Sequence, residues 1–216
     1  MTDAPLRTDD LEYDLPETLI ARRPAVPRED ARLMVVPLDR DGVIHARIRD
    51  LPSFLRSDDV LIFNNTTVIP ARFEGERTDS GGRIEGLFLG EESNEEHPHA
   101  WRVMLRSNGK LRTGIRLSLV GPDGSRVPAT VGERLGGHWQ LRLDDERSPV
   151  EVLAGVGRTP LPPYILRARR AAGEMIDDAE DRAWYQTVFA DAERPGSVAA
   201  PTAGLHFTPA MLSALD

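Results

Sequence analysis

One histidine, His206, lies in the segment AAPTAGLHFTPAML (residues 199–212), among residues that form turns and start helices. Thr208 followed by Pro209 is typical of a helix N-cap with proline at the first helical position. Gly204 predicts a left-handed bend just before the histidine. Because an imidazole titrates near neutral pH, His206 is a candidate for proton transfer to or from a bound substrate. The alternative is a histidine whose ring only bonds to local backbone groups.

A pair of asparagines forms a second candidate site, in FNNTTVIPAR. Asn64 and Asn65 follow the apolar run Val60–Phe63, which the pattern predicts to be a buried strand. Ligands of α/β proteins collect beyond the carboxyl ends of strands, and asparagine amides can bond to the edge of a purine-like base. Arg72 lies beyond the following turn. Alternatively, the two asparagines only form that turn.

Arginines form a third candidate site, in ARRPAVPREDAR (residues 21–32). Arg22, Arg23 and Arg28 on an irregular loop could hold phosphates through planar, forked contacts. A solvated loop paired with its own Glu29 and Asp30 is the alternative. Lys110 is the only lysine among 27 basic residues, so codon bias is another source of arginine.

Composition excludes several classes of protein. The chain has 216 residues, 40% of them hydrophobic, and a formal net charge of −8, so its whole surface is not a nucleic-acid footprint. The absence of cysteine excludes disulfides, thiolate metal sites and a cysteine nucleophile, and it fits the reducing cytoplasm. There is no apolar run of membrane-spanning length, no basic-then-apolar leader and no metal-spaced histidine pair.

The pattern of apolar residues predicts a mixed α/β, or α+β, protein in two parts. Residues 74–147 alternate apolar and polar positions between Gly- and Asp-rich turns, which predicts a small antiparallel β-barrel or sheet. Residues 1–73 and 148–216 form the α/β body around this inserted module. In the body, Ser148 predicts an N-cap, TPLPPYI (159–165) predicts extended chain, and DDAEDRAWYQTVFA (177–190) has helical spacing.

Five segments, taken together, resemble one enzyme family closely. The family is that of the S-adenosylmethionine:tRNA ribosyltransferase-isomerases of queuosine biosynthesis. The similar segments occur in the family's order: YDLPETLIARRPAVPREDARL (13–33), RDLPSFLRSDDVLIFNNTTVIPARF (49–73), GRTPLPPYI (157–165), WYQTVFA (184–190) and GSVAAPTAGLHFT (196–208).

The resemblance implies a fold and a reaction. The fold is an irregular α/β-barrel-like body with an inserted small β-barrel. The reaction transfers the ribosyl group of S-adenosylmethionine to 7-aminomethyl-7-deazaguanine at the tRNA wobble position and isomerises it. The products are epoxyqueuosine in tRNA, adenine and methionine. S-adenosylmethionine is thus the expected co-substrate and tRNA the partner, in the cytoplasm, with no metal and no membrane.

The resemblance also implies roles for individual residues. His206 would remove a C5′ proton next to the sulfonium or protonate the departing adenine. Arg22, Arg23 and Arg28 would hold tRNA phosphates. The expected substrate-binding residues are Asn64, Asn65, Arg72, Tyr164, Thr202, Gly204 and Thr208.

Two departures from the family pattern qualify these expectations. Thr67 stands where the family usually has arginine, and family members continue beyond the TAGLHFT motif. The second departure predicts a truncated chain, with a separately encoded C-terminal part as a possible partner. The alternative function is a non-catalytic remnant that at most binds tRNA through its β module.

Overall fold

The computed structural model describes residues 7–175 and 177–215. Short 3-10 helices occur at Thr8–Leu11, Glu17–Leu19, Arg28–Asp30, Ile48–Phe54 and Thr202–His206. The strands are β1 (Arg32–Val35), β2 (Ile44–Arg47), β3 (Thr66–Val68), β4 (Arg72–Arg77), β5 (Arg83–Glu91), β6 (Ala100–Ser107), β7 (Arg116–Val120), β8 (Arg126–Leu135), β9 (His138–Leu143), β10 (Gly157–Arg158) and β11 (Asp191–Ser197). The α-helices are α1 (Pro149–Val156), α2 (Pro163–Ala171), α3 (Asp178–Trp184) and α4 (Pro209–Leu215).

Strands β4 to β9 form a closed antiparallel barrel in the order β4-β5-β6-β9-β8-β7. Pairing of β4 with β7, with Gly75 opposite Leu119, closes the ring. Burial alternates along the strands because successive side chains point to opposite faces. The predicted mixed fold with a small antiparallel barrel is confirmed. The domain boundaries at residues 74 and 147 stay a prediction.

The barrel encloses the larger of two hydrophobic clusters. Trp101 lies at its centre, with the rings of Phe73 and Phe88 at 6.2 and 5.0 Å between centroids. Gly86 leaves the space that the Phe73 ring occupies, since a Cβ there would overlap that ring. Helix α1 packs onto the cluster through Val152, Leu153 and Val156.

Helix α1 begins as its sequence predicts. Ser148 accepts a hydrogen bond from the amide of Glu151, and the Glu151 carboxylate accepts one from the Ser148 amide at 2.9 Å. Pro149 occupies the first turn, and the helix ends before Gly157. This capping box lets the chain leave the barrel in a defined direction.

The prediction of a buried strand at Val60–Phe63 is wrong. These residues form no strand, and Val60 and Ile62 are 83% and 92% exposed. The strand begins later, at Thr66, and β3 pairs in parallel with β11. Only the end of the run is covered: the Phe63 ring packs against Phe189 and Phe207, at 4.7 and 5.3 Å between centroids. An apolar run forms a strand only where another strand pairs with it, and in the described part of the chain none pairs with this run. Asn64 and Asn65 therefore precede a strand instead of following one.

The prediction of extended chain through TPLPPYI holds only for its first half. Residues 159–162 are not helical, but α2 begins at Pro163 and includes Tyr164 and Ile165. Proline is favoured at the first position of a helix because that position has no intrahelical N–H bond to lose. The second proline of the pair thus starts a helix.

Candidate active site

A cavity of about 650 Å³ lies in the body of the protein and brings separated segments together. Its walls come from four segments: residues 21–32, here called the arginine loop, the start of α2, the end of α3 and the 3-10 helix Thr202–His206. Six of the predicted site residues line it: Arg22, Arg23, Arg28, Tyr164, Thr202 and His206. The sequence alone does not show that these six residues meet, because 184 positions separate Arg22 from His206.

His206 is half-buried at the edge of this cavity, in the last position of its 3-10 helix. Its Nδ1 lies 3.1 Å from the carbonyl oxygen of Ala203. A carbonyl only accepts, so this contact favours the tautomer with the proton on Nδ1 and leaves a lone pair on Nε2. Among the described residues, Nε2 has no hydrogen-bond partner. The ring is thus fixed by one nitrogen and basic at the other.

Arg28 holds the histidine segment against α3. Its Nη1 donates to the carbonyl oxygens of Gln186 and Leu205 at 2.8 and 3.2 Å. Its Nη2 donates to those of Ala183 and Trp184 at 3.2 and 3.1 Å. Burial lowers the pKa of Arg28, although guanidinium remains charged at neutral pH. Each terminal nitrogen of Arg28 donates two hydrogen bonds, so only its Nε–H is left to donate to a ligand.

Arg22 and Arg23 are held more loosely. Arg22 pairs with Glu174 at 3.1 Å and Arg23 with Glu180 at 3.6 Å, with side chains 42% and 57% exposed. The Arg23 guanidinium also lies 5.4 Å from the ring centroid of Trp184. Exposed ion pairs contribute about 0–1 kcal/mol, so a phosphate could replace either glutamate at little cost.

Sequence reasoning missed a buried ion pair in the wall of the cavity. Arg169 of α2 donates to Asp181 of α3 at 2.7 Å, and both side chains are almost fully buried. The Nε of Arg169 also donates to the Arg22 carbonyl at 2.8 Å, so the pair fixes the arginine loop. One signal could have revealed it: Arg169 lies three positions after Leu166, on the apolar face of α2.

Five predicted site residues do not line the cavity: Asn64, Asn65, Arg72, Gly204 and Thr208. The Asn64 side chain accepts from the amide and hydroxyl of Thr66 at 3.0 and 2.7 Å, and thereby forms a turn. Arg72 begins β4 and pairs with Glu74 at 3.3 Å. Thr208 is the predicted N-cap of α4, since its hydroxyl accepts from the Met211 amide at 3.3 Å.

The predicted left-handed conformation of Gly204 is wrong. Gly204 is not among the glycines with positive φ. It lies inside a 3-10 helix, where a Cβ would come within 2.8 Å of the Phe189 ring and 3.1 Å of the Thr187 methyl group. Close packing, and not backbone strain, therefore requires a glycine two residues before the histidine.

Thr67, the departure from the family pattern, has a structural role in β3. Its hydroxyl donates to the carbonyl of Asp191 at 2.7 Å, within the pairing of β3 with β11. The side chain of Gln186 bonds to Val68 of the same strand, accepting from its amide at 3.0 Å and donating to its carbonyl at 2.7 Å. A side-chain amide thus takes the place of a neighbouring strand.

The described ranges, 7–175 and 177–215, contain no group of three His, Cys, Asp or Glu side chains placed to hold a metal ion. They also contain no helix that is long and apolar enough to span a membrane.

The family of queuosine biosynthesis proteins matches residues 8–216 of the sequence. The chain belongs to this family. Among its relatives, the S-adenosylmethionine:tRNA ribosyltransferase-isomerase of Rubrobacter xylanophilus is 45% identical over 212 residues, which is 98% of this chain and 56% of that protein. The enzyme of the same name from Parvibaculum lavamentivorans is 42% identical over 214 residues, 98% of this chain and 57% of that protein.

A solved structure is also similar to this queuosine biosynthesis protein. It is the S-adenosylmethionine tRNA ribosyltransferase of Thermotoga maritima, with 25% identity over 77% of this chain and 55% of that chain, and a TM-score of 0.28. The chain thus spans a little more than half the length of the relatives that it matches.

Proposed function

We propose that this protein transfers and isomerises the ribosyl group of S-adenosylmethionine onto 7-aminomethyl-7-deazaguanine at the tRNA wobble position. The products are epoxyqueuosine in tRNA, adenine and methionine. One observation carries the proposal: His206, with a fixed ring and a basic Nε2, lies on a cavity of about 650 Å³ that is also lined by arginines and aromatic rings. A cavity of this size suits a nucleoside co-substrate. No metal is part of the proposal.

His206 performs the proton transfer in this proposal. A sulfonium makes the neighbouring C5′ protons acidic, so the lone pair on Nε2 can remove one of them and start the rearrangement. Alternatively, the protonated ring donates its proton to the departing adenine. In both cases the Ala203 carbonyl keeps the ring oriented through Nδ1.

The other residues that line the cavity bind and orient. Tyr164 and Trp184 offer flat surfaces on which a base can stack, and Thr202 offers a hydroxyl beside the histidine. Arg22 and Arg23 bind tRNA phosphates once their ion pairs with Glu174 and Glu180 have broken. For Arg28, which was predicted to share that task, the hydrogen bonds support a positioning role instead.

The predicted substrate contacts of Asn64, Asn65, Arg72, Gly204 and Thr208 are a separate proposal. None of them lines the cavity, so they would meet a substrate that extends beyond it, as a tRNA does. A tRNA substrate, together with a sequence free of cysteine, supports the cytoplasm as the compartment.

We also propose a partner: the part of the relatives' length that this chain does not span, supplied as a separate polypeptide. The exposed apolar residues Val60 and Ile62, beside the two-stranded parallel sheet β3–β11, support this partner. Parallel sheets are usually covered on both faces. The chain should be co-expressed with the part of the Rubrobacter xylanophilus relative that lies outside the matched region. The two polypeptides should then co-purify as a complex. Loss of the complex in a Val60→Lys/Ile62→Lys variant would support this interface.

A second candidate function is tRNA binding without catalysis, through the β-barrel. Exposed cationic side chains on the barrel, among them Lys110, Arg112 and Arg116, favour this candidate. Adenine release separates the two functions, because binding alone produces none.

The test uses purified protein, S-adenosylmethionine and tRNA carrying 7-aminomethyl-7-deazaguanine, with adenine measured by mass spectrometry. The wild type should release adenine, and His206→Gln should release at least about 100-fold less, as is typical for the loss of a general acid or base. His45→Gln is the matched control, since His45 is exposed on β2 and does not line the cavity. Equal adenine release by the wild type and His206→Gln would remove the histidine from the mechanism. Binding of tRNA without adenine release would support the second candidate.

A further inference from the structure

A second cavity, of about 660 Å³, lies on the β-barrel and shares no residue with the first. The turn after β4 forms one side of it, and the loop between β6 and β7 forms the other. Four cationic side chains line it, against a single carboxylate: Arg77, Lys110, Arg112 and Arg116 against Asp79. This concentration of positive charge occurs in a chain whose net charge is −8.

The one carboxylate that lines this cavity, Asp79, forms an ion pair with Arg77. Arg77 donates from Nε and Nη2 to the two Asp79 oxygens, at 3.1 and 2.8 Å. These hydrogen bonds lower the pKa of Asp79 to about 2, so the pair is internally neutral. Lys110, Arg112 and Arg116 take part in no ion pair with any described residue. Three cations therefore remain available to a ligand.

The backbone around the cavity is firmly held. The Gly114 amide donates to Val131 of β8 at 2.8 Å, and the Thr113 hydroxyl donates to Gly132 at 2.9 Å. On the other side, the Thr78 amide donates to the Arg116 carbonyl at 3.0 Å. The loop is thus attached to the barrel on both sides. Lys110, Arg112 and Arg116 are all exposed.

The exposure and the number of the cations determine which ligand fits this cavity. Exposed cations in water bind a single small anion weakly, because solvent screens each pair. A polymer with regularly repeated charges binds them well, because several contacts form at once and release condensed counterions. Lys110 and Arg112 on the loop and Arg116 at the start of β7 provide several such contacts in one cavity.

We propose that the cavity on the barrel binds the phosphodiester backbone of RNA. This inference rests on the proposed function, in which tRNA is the substrate, and it assigns the barrel a share of that binding. Lys110, Arg112 and Arg116 contact phosphates, so the site contributes affinity and position without reading sequence. A tRNA that reaches this cavity is held by the barrel while its wobble base occupies the first cavity.

The experiment compares the wild type with Lys110→Gln/Arg112→Gln, using an unmodified tRNA transcript over a series of salt concentrations. At low salt the variant should bind at least about 10-fold more weakly. Its slope of log Kd against log salt concentration should fall by about 1.4–1.8, since each lost phosphate contact contributes about 0.7–0.9. Arg102→Gln/Arg106→Gln is the control, because it removes two positive charges from exposed residues of β6 that do not line the cavity.

Four outcomes would overturn the inference. The wild type could fail to bind tRNA, the cavity variant could keep the wild-type affinity and slope, or the control could lose as much as the cavity variant. An equal loss of binding to polyglutamate would also count against it, by showing a general anion surface. Melting temperatures check that both variants remain folded. Because the transcript lacks the modified base, this result is independent of adenine release and of the proposed reaction.

Discussion

At the residue scale, one guanidinium organises the candidate active site. Arg28 bonds to carbonyls at the end of α3 and to Leu205, the residue before the candidate base. Cations are favourable at the carboxyl end of a helix, where carbonyl groups lack partners. The orientation of His206 therefore depends on an arginine that does not itself transfer a proton.

Replacing Arg28 with lysine should destabilise the protein by about 2–3 kcal/mol, since a hydrogen bond to a charged group contributes about 1.5–3 kcal/mol and lysine cannot reach all four carbonyls. Urea denaturation measures the change. Arg32→Lys is the control: Arg32 lines the same cavity but is exposed, so its effect should stay within about 0.5 kcal/mol. Equal effects of the two variants would contradict the positioning role.

Asp145, just after β9, makes stability depend on pH. Its carboxylate accepts from the Arg147 side chain at 2.6 and 3.0 Å and from the Arg147 amide at 3.0 Å. The side-chain bond first, and the amide bond second, lower the pKa of Asp145 from 3.8 to about 2. A lowered pKa stabilises the folded state above the ordinary value, and this contribution disappears as the pH falls through the folded value.

Asp145→Asn should therefore be less stable than the wild type at neutral pH. The difference should shrink as the pH falls from about 3.8 to about 2 and then vanish. Thermal unfolding over this range measures it. Asp144→Asn, at the exposed neighbouring position, is the control and should show no such convergence. A gap between wild type and Asp145→Asn that stays constant with pH would contradict the assignment.

At the scale of elements, the segment that carries the histidine is held by packing. The 3-10 helix Thr202–His206 contacts Phe189 and Thr187 at Gly204, and α4 begins directly after it with Thr208 as its cap. The two short helices have few internal hydrogen bonds of their own. Their position therefore depends on how closely the backbone approaches the neighbouring residues.

Gly204→Ala should destabilise the protein by about 1–3 kcal/mol, the usual effect of adding a methyl group to a packed site. The shift should also move the histidine and reduce adenine release. Gly155→Ala is the matched control: Gly155 lies in α1 with no atom within 4 Å of an added Cβ, so alanine should stabilise by about 0.5–1 kcal/mol. Differential scanning calorimetry of both variants gives the comparison. A neutral Gly204→Ala would remove the packing requirement.

Local signals made some elements predictable. The capping box of α1 and the N-cap of α4 depend on residues within three positions of each other, so the sequence contains all of the interaction. Alternation predicted most barrel strands for the same reason. The alternation also continues through β8, where Val127, Ala129 and Val131 are buried and Pro128 lies between them at an exposed position opposite Ser118.

The sequence pattern does not predict contacts between segments that lie far apart along the chain. Six residues of the first cavity are candidates from the sequence, but nothing in their spacing shows that α2, α3 and the arginine loop meet. The Arg169–Asp181 pair joins two helices that each look amphipathic on their own. Likewise, an apolar run cannot reveal whether a partner covers it, and Val60–Phe63 was predicted buried although Val60 and Ile62 are exposed.

At the scale of the whole molecule, apolar surface is unevenly distributed. The barrel has a complete core, whereas exposed large hydrophobic residues concentrate before it, among them Met34, Leu38, Val60 and Ile62. Patches of this kind usually mark an interface or promote self-association. The body thus has the larger share of surface suited to further contacts.

Val60→Ser/Ile62→Thr should reduce concentration-dependent light scattering of the isolated chain, because two exposed apolar side chains become polar. Its free energy of unfolding should change by less than about 0.5 kcal/mol, as expected for surface positions. Val68→Ser is the control: this valine is 7% exposed in the second core cluster and should lose about 2 kcal/mol or more. A large loss of stability in the double variant would mean that these residues are covered.

The chain enters the barrel at β4 and returns through α1 to β10, whose Gly157 lies opposite Phe73. The strand that enters the barrel, β4, and the strand that follows it, β10, are therefore hydrogen-bonded neighbours. A module whose entry and exit adjoin in this way can be gained or lost in evolution by one genetic event, without separating the segments it joins. An ancestor that lacked the barrel would have kept its remaining chain continuous by a link between those two adjoining residues.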